Sequence, residues 1–201
     1  MTEKEKMLAG MLYDPSDAEL SEIRKKAHVL STRYNMLAEG DPERDNIIAQ
    51  LLPNMGKNGS VQGPVQFDYG VFTEIGENFY ANFNLTVLDC CKVIIGDNVM
   101  IGPNVSILTP VHPLCWQERN MRFREDGSMY DHEYAKPITI GDNCWIAGNV
   151  TICGGVRIGS GSVIGAGSVV TRDIPENCLA AGNPCRVIRE ITEADRMELP
   201  E

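Results

Sequence analysis

"IGDNCW IAGNVT ICGGVR IGSGSV IGAGSV", residues 140–169, decides the fold. Ile140, Ile146, Ile152, Ile158 and Ile164 recur every six residues, each followed by a small residue: Gly141, Ala147, Cys153, Gly159 and Gly165. The fifth place holds Cys144, Val150, Val156, Ser162 and Ser168. A period of six fits neither a 3.6-residue helix nor the simple alternation of a strand. A short fixed repeat cannot bury its aliphatic face alone and must stack on the next, which predicts a β-solenoid with three short flat strands per coil. In this reading the first-place side chain points inward, the small residue lets the backbone turn, and the other places face outward.

The frame runs upstream as "IGDNVM IGPNVS ILTPVH" (95–112), and more loosely as "VQGPVQ FDYGVF" (61–72) and "IGENFY ANFNLT VLDCCK" (75–92), with two-residue slips at 73–74 and 93–94. It is lost between residues 113 and 133 and resumes with "YAKPIT" (134–139) in phase with Ile140, which predicts an outward loop. That loop carries Trp116, Met121, Phe123, Met129 and Tyr130, so it is expected to pack on a partner chain or to cover a ligand.

Residues 1–55 have a helical period instead. Ser16 with Glu19 forms a capping box, and Leu20, Ile23, Ala27, Leu30 and Tyr34 follow along one face. A second helix starts at "DPERDNIIAQLL", with Asp41 as cap and Pro42 at the first helical position. The chain therefore divides into a helical region 1–58, a solenoid 59–191 interrupted by loop 113–133, and a tail 192–201.

Eighteen Lys and Arg stand against 28 Asp and Glu, a net charge of −10 with no basic stripe, which excludes nucleic acid as a partner. No secretory leader and no long apolar run are visible, so the expectation is a cytoplasmic protein without a membrane partner. The seven cysteines include no CxxC pair and read as buried reduced thiols. Neither a phosphate-cradling GxxxxGK[ST] nor an HExxH motif occurs.

Of the three histidines, His28 falls on the first long helix, His132 in the loop, and His112 at the end of the last hexad before the loop. Pro113 restricts His112 to extended backbone and directs the chain outward. Histidine titrates near neutral pH and suits general-base work, so His112 is the candidate reagent; the competing reading is a residue that merely starts a loop. Glu133, directly before "YAKP", could orient the His112 ring as carboxylates do in other histidine sites, or could be a solvated loop glutamate.

Residues 61–189 resemble a hexapeptide-repeat acyltransferase. With the helices included, the chain resembles the maltose/galactoside O-acetyltransferase group nearly end to end. The matching motifs are "AGMLYD" (9–14), "RYN" (33–35), "NFYANFN" (78–84), His112-Pro113, "KPITIGDNCWIAGNVTICGGVRIG" (136–159) and "IGAGSVVTRDIPENCLAAGNPCRVIREI" (164–191).

The resemblance implies a left-handed parallel β-helix, assembled as a homotrimer with active sites between subunits. It also implies transfer of an acetyl group from acetyl-CoA to a sugar hydroxyl without a metal. His112 then becomes the general base and Asn82 a contact to the acceptor hydroxyl, although Asn82 could instead be an amide bonding one coil to the next. Asp17, Asp68 and Met129 fall in the acceptor site, Asp17 being equally suited to a helix N-terminus. The backbone N–H of Gly148 meets the thioester oxyanion and Ala166 lines the pantetheine groove. Thr171, Arg172, Arg186 and Arg189 match coenzyme positions, the arginines being otherwise a solvated end of the domain.

Two departures leave the acceptor sugar open: Asp68 stands where galactoside enzymes have serine, and Cys90 replaces a second acidic residue beside Asp89. The competing functions are a same-fold acyltransferase for a non-sugar acceptor, a γ-carbonic-anhydrase-type hydratase, and a non-catalytic scaffold. The hydratase needs three histidines, of which only His112 lies in the coil, and a scaffold would have no use for His112, Asn82 and the basic coenzyme positions together.

Overall fold

A computed structural model describes residues 1–198, so residues 199–201 of the expected tail lie outside the described part. Three helices, α1 (Glu3–Leu8), α2 (Ala18–Met36) and α3 (Glu43–Leu51), precede a parallel β-helix, as the repeat predicts. Its first face stacks Ser60–Val61, Tyr80–Ala81, Met100–Ile101, Trp145–Ile146, Val163–Ile164 and Cys178–Ala181, closed by the antiparallel strand Arg186–Glu190. The second face stacks Val65–Phe67, Leu85–Leu88, Ser106–Leu108, Thr151–Cys153 and Val169–Val170. The third stacks Thr73–Ile75, Val93–Ile95, Ile138–Ile140 and Arg157–Ile158.

The core differs from the expectation in one respect: two places of each hexad point inward, not one. Cys144, Val150, Val156, Ser162 and Ser168 are as buried as the isoleucines of the first place. The fifth place precedes the next first place by two residues, and alternate residues of a strand share a side, as in the buried–exposed–buried run of Val65, Gln66 and Phe67. The six-residue period is therefore built on local strand alternation.

Early coils advance 20 residues and later ones 18, the difference being the two-residue slips at the corners. Asparagines with positive φ occupy the other two corners and form two amide ladders, Asn58–Asn78–Asn98–Asn143 and Asn84–Asn104–Asn149. At the corner that carries Asn98 the backbones approach so closely that a Cβ on Gly96 would lie 2.7 Å from the Asp142 nitrogen. Gly96→Ala is expected to destabilise the coil by about 1–3 kcal/mol through overpacking, read as a lower unfolding midpoint.

The helices cover the open end of the solenoid. Asn35, in the "RYN" motif, donates its amide to the Val65 carbonyl and accepts the Val65 N–H, both at 2.8 Å, while the Tyr34 hydroxyl donates to the Val61 carbonyl. Edge groups that would otherwise template another strand are thereby paired. The cap of α2 is Asp17 rather than Ser16: its Oδ1 accepts the N–H groups of Glu19 and Leu20. At α3 the start lies one residue later than expected, with Pro42 as the cap residue and Asp41 accepting the Glu43 N–H at 2.9 Å.

The excursion is longer than 113–133. Pro110–Val111 pairs antiparallel with Tyr134–Ala135 to make a neck, and the coil resumes only at Ile138. Pairing across the neck satisfies backbone groups of the departing and returning chain, and such a return can keep the hexad count without lying on a coil face. Behind the neck a small second core gathers Met7, Tyr13, Leu20, Tyr69, Cys90, Cys91 and Ala135. All seven cysteines are free; Cys115, on the loop, is exposed and Cys153 is only partly buried, contrary to the expectation of buried thiols throughout. Among the described residues no helix is long and apolar enough to cross a membrane.

Candidate active site

The corner between the second and third faces anchors the loop. Asp89, fully buried there, accepts the Tyr69 N–H at 2.8 Å and the Thr73 hydroxyl at 3.0 Å, while burial pushes its carboxyl up. One coil on, Thr109 accepts the Cys91 N–H and donates to the Leu88 carbonyl. From this rigid base the chain leaves through the neck, and His112 is the first residue beyond it.

The His112 Nε2 lies 3.5 Å from Oε2 of Glu133, whose side chain is 12% exposed against 47% for the histidine. That separation exceeds a hydrogen bond. The other oxygen, Oε1, accepts the hydroxyl of the buried Tyr13. Desolvation pushes the Glu133 carboxyl up, and the Tyr13 hydrogen bond and the His112 ring pull it back. The imidazole thus has a buried carboxylate on one side and solvent on the other.

Asp68 joins the same cluster. It accepts from the Cys90 thiol at 3.5 Å and faces His28 Nε2 at 3.3 Å. Burial, with Glu133 and Asp68 nearby, pushes the Cys90 thiol far up, so Cys90 is a protonated donor rather than a nucleophile. The sequence places His28 only on a helix flank; its contact to Asp68 follows from the packing of α2 on the coil.

Asn82, Gly148 and Ala166 lie elsewhere, at the corner between the first and second faces. Register puts Phe83, Pro103, Gly148 and Ala166 in one column, each two residues past a strand-ending residue of the first face, with Asn82 beside it. Asn82 is not a ladder residue: its Oδ1 accepts the Phe83 N–H at 2.7 Å. The Gly148 N–H finds no acceptor among the described residues, which leaves it available to a developing oxyanion. Within one chain the second face separates this corner from His112.

Residues 6–56 match the family described as "Maltose acetyltransferase hexapeptide capping motif", and residues 137–172 match "Bacterial transferase hexapeptide (six repeats)". The galactoside O-acetyltransferase of Escherichia coli is 45% identical over 193 residues, covering 96% of this chain and 91% of that one. This chain belongs to the maltose/galactoside O-acetyltransferase group of hexapeptide-repeat acetyltransferases. A maltose O-acetyltransferase from Clostridium difficile 630 superposes with a TM-score of 0.87 at 47% identity, covering 96% of this chain and 99% of that one. A galactoside acetyltransferase in complex with coenzyme A gives 0.88 at 42% identity, covering 100% and 96%.

In this acetyltransferase the remaining candidates divide between places. Thr171 and Arg172 are exposed just past Val169–Val170, at the corner from which the loop leaves two coils earlier. Arg186 and Arg189 sit on the terminal strand; Arg189 is bound to Asp195 at 2.6 and 2.8 Å, which holds the Asp195 carboxyl down to about 2. Met129 is exposed in the loop hairpin Arg122–Phe123/Met129–Tyr130, whose Arg124 pairs with Asp14 and stacks over Tyr130. Asp17 is spent as the α2 cap, so the structure favours its helix-start role over an acceptor contact. Tyr13 was not among the sequence candidates, and its place in "AGMLYD" was the only signal.

Proposed function

We propose that the chain transfers the acetyl group of acetyl-CoA directly to a hydroxyl of a maltose-, glucose- or galactoside-like sugar, with His112 as general base. The reading is carried by the His112 ring held between the Glu133 carboxylate and open solvent. It is supported by a 42% identical galactoside acetyltransferase solved with coenzyme A. An alcohol is a poor nucleophile while protonated. His112 takes the hydroxyl proton as the sugar oxygen bonds to the acyl carbon, Glu133 stabilises the imidazolium, and the Gly148 N–H meets the oxyanion. The C–S bond then breaks, and the departing thiolate recovers the proton from His112.

His112 and Glu133 stand at one corner of the prism, while Asn82, Gly148 and Ala166 stand at another. A homotrimer that sets the first corner of one subunit against the second corner of its neighbour unites them, and also brings Thr171 and Arg172 toward the same groove. Thiol release from acetyl-CoA across a panel of sugars and amines tests the activity and ranks the acceptors; no release with any hydroxyl acceptor would overturn it. Coexpressing His112→Ala with Asn82→Ala tests the shared site. Each variant alone is expected to be nearly inactive, and random trimers of the two should recover about a quarter of wild-type turnover, because each mixed trimer keeps one intact site. Absence of recovery would place both residues in one chain's site.

A further inference from the structure

We propose that Tyr13 is a positioning residue for the transfer: its buried hydroxyl holds one oxygen of Glu133 so that the other faces His112. The inference rests on His112 being the base.

Three contacts tie Tyr13 to Glu133. The Tyr13 N–H donates to the Glu133 carbonyl at 3.0 Å, the Glu133 N–H donates to the Tyr13 carbonyl at 3.3 Å, and the phenol donates to Oε1. Glu133 sits on the returning limb of the loop, one residue from the neck, where its side chain would otherwise sample several rotamers. The phenol ring is itself fixed in the second core with Met7, Leu20, Tyr69 and Ala135. Burial pushes its hydroxyl far up, so it remains a donor throughout the working pH range. Arg124 fastens the loop tip to Asp14 and Ser16, so the short segment after α1 holds the loop at two points. The helical cap thereby reaches the reacting centre rather than only closing the solenoid.

The consequence is electrostatic. The groups facing Glu133 are Tyr13 from the N-terminal segment, Asp68 and Cys90 from the coil corners, and His112 and Asp131 from the loop. Asp68 and Asp131 oppose its charge, as does burial, while Tyr13 and His112 favour it. Removing the phenol hydroxyl leaves the carboxyl to rise further, so it protonates at a higher pH and stops supporting the imidazolium there.

Tyr13→Phe keeps the ring and its packing. It is expected to lower kcat about tenfold with KM for acetyl-CoA unchanged, and to move the acid limb of the kcat profile up by about one pH unit, the loss of one hydrogen bond to a charged group. In a Glu133→Gln background the same substitution should change kcat less than twofold and leave the pH profile where Glu133→Gln alone puts it, because the carboxylate through which it acts is gone. A Tyr13→Phe enzyme whose acid limb coincides with wild type, or whose effect persists undiminished in Glu133→Gln, overturns the inference. A fully active His112→Ala overturns the underlying base assignment instead, so the two failures are told apart.

Discussion

Replacing His112 by alanine is expected to lower kcat by about 10²–10⁴-fold, the range lost when a positioned general base is removed. The side chain is 47% exposed and belongs to neither hydrophobic cluster, so the substitution creates no cavity and should leave the unfolding midpoint and assembly where they are. KM for acetyl-CoA should hold as well, because the coenzyme candidates Gly148 and Ala166 stand at the corner between the first and second faces, a face away from His112. Turnover measured by thiol release, alongside thermal unfolding, separates the outcomes. An assembled His112→Ala protein that turns over at the original rate would falsify the mechanism.

The largest expected stability effect lies in the column of the coil. Ile101 is fully buried and sits in register between Ala81 and Ile146 on the first face. Ile101→Ala removes three carbons from a position whose neighbours belong to coils above and below, locked by backbone ladders that limit collapse into the gap. A loss of about 2–5 kcal/mol is expected, read from the denaturation midpoint at one fixed protein concentration. A loss below about 1 kcal/mol would mean that the fifth-place side chains Val99 and Val105 refill the space. Activity per folded molecule should change little, since the His112 corner is built on the second core rather than on this column.

The two substitutions probe features that were legible to different degrees. The isoleucine column was readable because each first-place residue repeats the same local demand, and stacking alone satisfies it. The inward fifth place is not legible in the six-residue period alone, because strand alternation operates within that period, as Val65–Phe67 shows. The loop was visible as a gap in the frame. Its true extent was not, because Tyr134 and Ala135 keep the hexad count while pairing antiparallel with Val111 and Pro110.

At the site, His112 and Glu133 could be nominated from their positions at the two ends of the excursion, and the structure sets them 3.5 Å apart. Tyr13 lies 120 residues from Glu133 along the chain, and nothing in its local pattern announces the contact. Asn82 and His112 share the sequence of consecutive coils, yet a triangular coil sends them to different corners.

By itself, then, the amino-acid sequence determined the solenoid, the capping helices, the outward loop and the histidine at its root, all properties of short-range periodicity and its interruptions. Only the tertiary structure decided which carboxylate faces that histidine, which phenol holds the carboxylate, and that Asn82 and Gly148 stand a face away. Those relations depend on how separate coils and the N-terminal segment meet in space, and side-chain contacts between distant segments leave no period in the chain.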